Sequence, residues 1–281
     1  MYKNLVLSGG SIKGIAYLGA LKRLVELGLV QLDKLEAIAG TSVGSILATL
    51  IVIGFTVDQI WEFMLMIDFK KMVSPDILQL LEKFGMDTGD KFYHLTQEIL
   101  RRATGLSCVT FRKLYECTHK KLIIVGSCLT TREIVYYDHE RTPEFEVALA
   151  VRISISMPFY FTPVEVEGRQ YIDGCILNNY PINLFEKEME TTIGMIIKDE
   201  HAACTTFQYP EQYLRAVVNL FLYNYYKETH MRYQNNTIYI DDDPDVSIFD
   251  FNLDNAIKRR LFQRGVEAVE KFLERRKRTK D

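Results

Sequence analysis

What the chain has little of narrows its chemistry before any motif is read. It carries five cysteines, Cys108, Cys117, Cys128, Cys175 and Cys204, and no two of them form a Cys-x-x-Cys pair. Their odd number and scatter argue against a disulfide framework or a zinc site and fit a reducing compartment. Long hydrophobic runs are missing: the longest, Ile46 to Phe55, falls well short of the ~20 residues a spanning helix needs. The opening "MYKNLVLSGG" enters a strand pattern at once and leaves no room for a signal peptide. An excess of one charge is also lacking, and a net charge of -3 gives no electrostatic reason to expect nucleic acid as a partner. The expectation is a soluble cytoplasmic protein whose membrane contact, if it makes any, is peripheral. No feature selects an oligomeric state.

Metal and nucleotide chemistry lose their main residues in the same way. The run "DDDPD" (Asp241 to Asp245) suggests calcium, but it lacks the EF-hand spacing and glycine, so no metal and no cofactor are expected. Gly9 and Gly14 have P-loop spacing, yet Ile15-Ala16 stand where Lys-Ser/Thr must be, and the dinucleotide pattern Gly-x-Gly-x-x-Gly is not met either.

What is present is a regular alternation of strands and helices. "NLVLS" reads as a short buried strand. From Ile15 the apolar period turns helical through Leu18, Leu21 and Leu24, and Gly28 ends it. "LEAIAG" is a second strand and Val43 to Ile53 a second helix. Thr56 and Gln59 form a capping-box pattern before a third helix, and Ser74-Pro75 would open another. "FYHLTQEILRRATG" and "EFEVALAVRIS" read as helices, "KLIIVGSCL" and "EIVYYD" as strands, "FTPVEVEGRQYIDG" as a hairpin turning at Glu167-Gly168, and "TTIGMIIK" as the last central strand. Two long helices follow. The pattern predicts an α/β fold with a central, mostly parallel sheet flanked by helices. No repeat or low-complexity linker divides residues 1–281, so a single domain is expected, with a catalytic core over about 5–200 and a helical extension over about 209–281.

Two glycine turns carry the chemistry. In "LEAIAGTSVGSILATL", Ser42 lies between Gly40 and Gly44 at a strand-to-helix turn. A Gly-x-Ser-x-Gly elbow of this kind bends so sharply that the serine projects clear of the sheet, and a Cβ at either glycine would clash. The helix starting at Val43 brings free N–H groups and a positive dipole end beside the hydroxyl, as an oxyanion requires. In "LVLSGGSIKGIAYLG", Gly9, Gly10, Ser11, Lys13 and Gly14 form a tight turn that suits an anion. With strands one and two adjacent and parallel, the two turns emerge at one sheet edge. An α/β-hydrolase triad would then need a histidine, but His94, His119, His139 and His230 lie in ordinary settings. His201 in "KDEHAAC" is kept in reserve.

A Gly-Gly-x-x-Lys-Gly turn on strand one, followed about thirty residues later by Gly-x-Ser-x-Gly, resembles the patatin-like phospholipases. "ISISMPFYFTPV" is similar to that family's serine-rich segment, and "YIDGCILNNYPI" to its Asp-Gly motif followed by Asn and Pro; the likeness runs in order from about Leu5 to Leu184. The resemblance implies a three-layer fold and a Ser–Asp dyad without histidine. It makes Ser42 the nucleophile and Asp173 the general base, with Gly174 letting the backbone approach. Gly9, Gly10, Ser11 and Val43 would supply oxyanion N–H groups, and Lys13 would fill the family's basic position, where a solvated charge is the alternative. Ser11 replaces the usual third glycine, and Cys175 stands where a smaller residue is usual; a redox-sensitive thiol is the other reading of Cys175. The implied substrate is a lipid ester. A transacylase using the same dyad, or a silent lipid-binding protein, are the alternatives. The stripe Tyr213, Val217, Phe221 and Tyr225 and the tail "RRKRTK" are candidates for lipid contact, with core packing and a solvated helix end as the plainer readings.

Overall fold

The computed structural model of the chain describes residues 1–198, 212–213, 216–217, 220, 232–247 and 250–278. Its strands are β1 (Asn4–Leu7), β2 (Ala37–Thr41), β3 (Gly85–Asp87), β4 (Lys121–Cys128), β5 (Glu133–Tyr137), β6 (Phe159–Phe161), β7 (Val164–Val166), β8 (Arg169–Asp173), β9 (Thr192–Lys198) and β10 (Thr237–Asp241). The main sheet runs β10-β9-β1-β2-β4-β8-β7, with β5 also paired to β4; β3 and β6 form a small separate sheet. From β10 to β4 all pairings are parallel, and β8, β7 and β5 join antiparallel. The sheet is therefore mostly parallel, with its antiparallel strands confined to the β4 side.

Alternation along the strands divides the core. Leu5 and Leu7 of β1, Ile38 of β2 and Leu122 and Ile124 of β4 face one large cluster. That cluster holds α1 (Ile15–Glu26), α2 (Val43–Val52), α3 (Val57–Met66) and α8 (Val147–Ser154). Val6, Ala37, Ala39, Ile123 and Ile196 face the opposite side, where the 3-10 segment Pro181–Thr191 covers them through Ile182 and Phe185. Three layers result. On the first face, the C-terminal helix Asn255–Arg278 packs on α1 at backbone contact. A Cβ at Gly19 would lie 1.8 Å from the Phe262 carbonyl, and one at Gly265 would lie 1.9 Å from that of Ala16.

Several elements differ from the pattern reading. The fourth and fifth helices are α4 (Phe69–Met72) and α5 (Ile77–Lys83). Asp76, not Ser74, caps α5, accepting the Leu78 N–H at 2.9 Å. α6 (Asp90–Thr104) follows as expected, and α7 (Phe111–Thr118), capped by Thr110, is a helix that the pattern reading did not include. "TTIGMIIK" is the last inner strand in chain order, and β10, which the pattern reading did not include, adds a parallel edge beyond it. The hairpin of β7 and β8 turns at Glu167-Gly168 as expected, both residues with positive φ (50° and 73°). The aromatic stripe falls largely outside the described residues: Phe221 and Tyr225 lie there, as do His201, His230 and Cys204.

Candidate active site

Sheet register assembles the site. Leu7 of β1 pairs with Gly40 of β2, so the turns after these two strands leave the same edge side by side. Thr41 pairs with Val125 of β4, and the next residue, Gly126, pairs with Asp173 of β8. Ser42 and Asp173 therefore stand level with each other, two strand spacings apart, about 10 Å between backbones. A serine and an aspartate side chain reaching inward span most of that gap. Gly126 keeps the intervening strand bare: a Cβ there would meet Ile153 Cγ2 at 2.9 Å and the Tyr137 ring at 3.0 Å.

Ser42 adopts φ 54°, ψ -126°, a conformation that L-residues avoid. Such a residue costs on the order of 1–3 kcal/mol and persists only where its surroundings fix it. Here three bonds do so. The Ser42 N–H donates to Ser154 Oγ at 2.9 Å, and the Ser42 carbonyl accepts from the Ser45 N–H at 2.9 Å and the Ser45 hydroxyl at 2.6 Å. A Cβ at Gly40 would lie 2.3 Å from the Gly44 carbonyl, and one at Gly44 would lie 2.3 Å from that of Leu7, so both flanking positions exclude any side chain.

Asp173 is fully buried. Its Oδ1 accepts the Cys175 N–H at 2.8 Å, and its N–H donates to the Ser156 carbonyl at 3.0 Å. Oδ2 is bonded by no backbone group, and by no side chain but Ser42, among the described residues. Burial pushes the carboxyl up to about 6, opposed by hydrogen bonds from the Cys175 amide and the Ser42 hydroxyl. An acid shifted in this way is a stronger base once ionised, and it still ionises near neutral pH. Cys175 is itself buried, and burial with the Asp173 charge raises its thiol well above the ordinary range. A thiol in that state is inert, which removes the redox reading. A Cβ at Gly174 would lie 2.4 Å from the Val125 carbonyl, so the chain passes β4 at backbone contact.

The glycine turn is clipped from two sides. Asn179, in the loop after α9 (Cys175–Asn178), receives the Gly9 N–H on both its carbonyl (3.2 Å) and its side-chain oxygen (3.1 Å). The Gly9 amide is thus already used, which corrects its assignment as an oxyanion donor; Gly9 supplies proximity instead. A Cβ on it would sit 3.2 Å from Ser42 Cβ. The Gly9 carbonyl accepts from the hydroxyls of Ser8 (2.8 Å) and Tyr17 (3.3 Å). Because C=O and N–H of one trans peptide point in opposite directions, the Gly10 N–H leaves on the far side from those hydroxyls. Ser11 opens a 3-10 turn, Ser11–Gly14, with φ 49°, the left-handed backbone that its usual glycine would take at less cost. Gly14 faces Val43, 2.5 Å from a built Cβ to Val43 Cγ1, and this seats the turn on the start of α2.

Lys13 is not a solvated charge. It is buried, and its Nζ lies 2.5 Å from Asp242 Oδ1, also buried. The "DDDPD" run is an anchor: Asp241 pairs with Lys271, Asp242 with Lys13, and Asp243 with Arg260 and Arg264. Two of the tail's basic residues are also engaged, Arg275 on the Gln234 and Thr237 carbonyls and Arg276 on the Tyr2 hydroxyl.

Pattern reading missed the C-terminal turn of α8. Ser154 holds the Ser42 amide, and the Ser156 carbonyl holds that of Asp173, so one turn touches both residues. Buried Arg152 fixes that turn from behind, donating to Ser156 Oγ (2.5 Å), to the Thr88 carbonyl and to the Thr162 carbonyl (3.0 Å). The available signal was an arginine inside an otherwise apolar helix, since a buried guanidinium must find several acceptors.

Ser42 opens onto an apolar cavity. Ile12, Ile46, Leu50, Phe63, Ile67, Phe161 and Phe251 are among its walls, and no histidine lines it among the described residues. A long aliphatic chain fits such walls, and a charged head group does not.

Residues 5–185 match the model of the patatin-like phospholipase family. The chain belongs to the patatin-like phospholipase family. Uncharacterized protein R571 of Acanthamoeba polyphaga mimivirus is 34% identical over 278 residues, which is 95% of this chain and 92% of that protein. The probable lipid hydrolase 463L of Invertebrate iridescent virus 6 is 31% identical over 189 residues, 65% of this chain and 63% of its own length. Among solved structures, VipD from Legionella pneumophila superposes with a TM-score of 0.58 at 18% identity, over 97% of this chain and 67% of VipD. That likeness shows a shared fold. No described helix is long and apolar enough to cross a membrane.

Proposed function

We propose that this patatin-like protein is a lipid acyl hydrolase that cleaves fatty-acyl esters through Ser42 and Asp173. The observation that carries the reading is the pairing of a strained, cavity-facing serine with a buried aspartate whose second oxygen has no other partner. Family membership and the lipid hydrolase name of the iridescent virus relative support the substrate class.

The acyl chain enters the apolar cavity and the ester carbonyl comes to rest over Ser42. Ser42 Oγ attacks while Asp173 Oδ2 takes its proton. The oxyanion is met by the N–H groups of Gly10, Ser11 and Val43, each strong donor contributing about 3–4 kcal/mol in comparable sites. Asp173 then returns the proton to the leaving alcohol, and the C–O bond breaks to give an acyl-serine. Water attacks next, Asp173 taking its proton and passing it to Ser42 Oγ as the acyl–Oγ bond breaks, which releases the fatty acid and free Ser42. No other group with a base's position is needed, since the carboxylate reaches the hydroxyl directly.

The test is hydrolysis of a short-chain p-nitrophenyl ester and of a labelled phospholipid by the wild type, Ser42→Ala and Asp173→Asn. Turnover by the wild type and loss in both folded variants is expected. Equal rates in all three would overturn the reading.

A further inference from the structure

α5 exposes an apolar stripe that a globular protein would ordinarily bury. None of its residues is buried, and all of its apolar side chains except half-buried Leu80 point outward: Ile77 is 64% exposed, Leu78 66%, Leu81 79%, and Phe84 just beyond it 70%. The spacing 77, 78, 81, 84 is that of one helical face. Such a stripe normally faces a core, and a contiguous exposed one marks a binding surface. The patch continues across the small sheet, where Gly85 of β3 pairs with Phe159 of β6, half exposed. Phe84 and Phe159 both hold positive φ, 62° and 68°, a conformation bulky residues avoid. Strain here keeps two rings on the surface.

Two further observations identify what covers this face. First, it borders the cavity mouth: Phe159 leads directly into Tyr160 and Phe161, both in the cavity wall, and exposed Met66 ends α3, whose Phe63 and Met64 line that wall too. Second, its charges balance. Asp68, Asp76 and Glu82 are matched by Lys70, Lys71 and Lys83, with Asp68 and Lys71 already within 3.6 Å of each other. A neutral apolar face at the entrance of an acyl-chain cavity complements an uncharged or zwitterionic lipid surface, and offers little to an anionic one.

We propose that the α5 face, with Phe84 and Phe159, docks this protein on a zwitterionic lipid surface and so brings the cavity mouth to its substrate. The proposal rests on the lipid hydrolase reading for its purpose, but not for its test. The docked state inserts Leu78, Leu81 and Phe84 below the head groups, and an acyl chain passes from the bilayer to Ser42 along apolar wall.

The experiment is co-sedimentation with phosphatidylcholine vesicles, using Ser42→Ala so that no substrate is consumed, with and without Leu78→Asp and Leu81→Asp together. Both leucines are exposed and outside the cavity, so turnover of a soluble p-nitrophenyl ester by the Ser42-containing double variant reports its folding. Expected is binding by the parent that changes little from low to high salt, a loss of at least ~tenfold in the double variant, and unchanged soluble-ester turnover. Failure of the parent to bind would overturn the proposal, as would equal binding by the variant. Binding only to anionic vesicles, abolished by salt, would assign the contact to basic residues instead. A parent that elutes as a dimer and a variant that elutes as a monomer would assign the face to a second copy of the chain. Vesicle binding without any Ser42-dependent ester hydrolysis would leave the docking face standing and remove the hydrolase reading.

Discussion

Ser42 and Asp173 share one site, yet the chain holds them by different means. Ser42 is fixed mostly from nearby: Gly40, Gly44 and Ser45 shape the elbow, the glycine turn after β1 packs against it, and Ser154 bonds its amide from α8. Asp173 owes its position to an antiparallel pairing with β4 and to the Ser156 carbonyl, and its chemistry to complete burial. The serine half is thus a matter of local backbone geometry, and the aspartate half a matter of long-range packing. A change near Ser42 should act on rate, whereas a change around Asp173 should act on rate and on pH-dependent stability together.

The largest expected effect is on rate at the local half. Ser42→Ala should lower kcat by at least about 10⁴-fold, measured on a short-chain ester, with little change in the urea midpoint. Asp173→Asn should cost about 10²–10⁴-fold, the usual contribution of a general base.

Next comes the anchor of the glycine turn. Lys13→Met leaves Asp242 buried without its partner and should cost about 3–5 kcal/mol in urea denaturation. Lys13→Met with Asp242→Leu should recover most of it. A single variant as stable as the wild type would show that the pair does not hold the turn.

The aspartate half carries its own signature with pH. About a unit or more below its ordinary 3.8 the Asp173 carboxyl is protonated folded or unfolded, and burial costs nothing. From its ordinary 3.8 to its folded value of about 6, the unfolded chain ionises first, so stability falls as pH rises through this window. Above about pH 6 the cost is constant, on the order of 3 kcal/mol. Asp173→Asn should therefore be more stable than the wild type above pH 6 by that order, with the gain gone about a unit or more below the ordinary 3.8. In the wild type, kcat/KM should rise through about pH 6 as the base ionises. A stability difference independent of pH would break the comparison.

The smallest expected effect falls where the halves meet. Ser154→Ala strands the buried Ser42 N–H at a cost of about 1–3 kcal/mol. It should lower kcat about tenfold with KM nearly unchanged, because the elbow loosens while the cavity walls remain. Ser154→Thr, which keeps the acceptor oxygen, should restore part of the rate.

Legibility in the sequence follows the same division. The elbow could be read from "GTSVG" because every constraint on it lies within a few residues, and the parallel strands from their apolar runs. Asp173 could be assigned only through resemblance, since nothing adjacent shows which aspartate pairs with Gly126 of β4. The solvated alternative for Lys13 stayed open, and the acidic run was weighed only as a calcium site, because Lys13 and Asp242 lie more than 200 residues apart and meet only in the fold. Gly9 was assigned as a donor because its acceptor, Asn179, lies in a loop that the turn meets only after folding. The outward stripe of α5 was passed over because an apolar helical period ordinarily signals burial, and exposure is decided by what packs against it.

The most direct test is labelling with a fluorophosphonate, followed by intact mass and peptide mapping, across pH 4 to 8. One adduct, on Ser42, forming faster as pH rises through about 6 and strongly slowed in Asp173→Asn, is the result expected of this dyad. A folded protein that takes no label, or takes it at a residue other than Ser42, would contradict it.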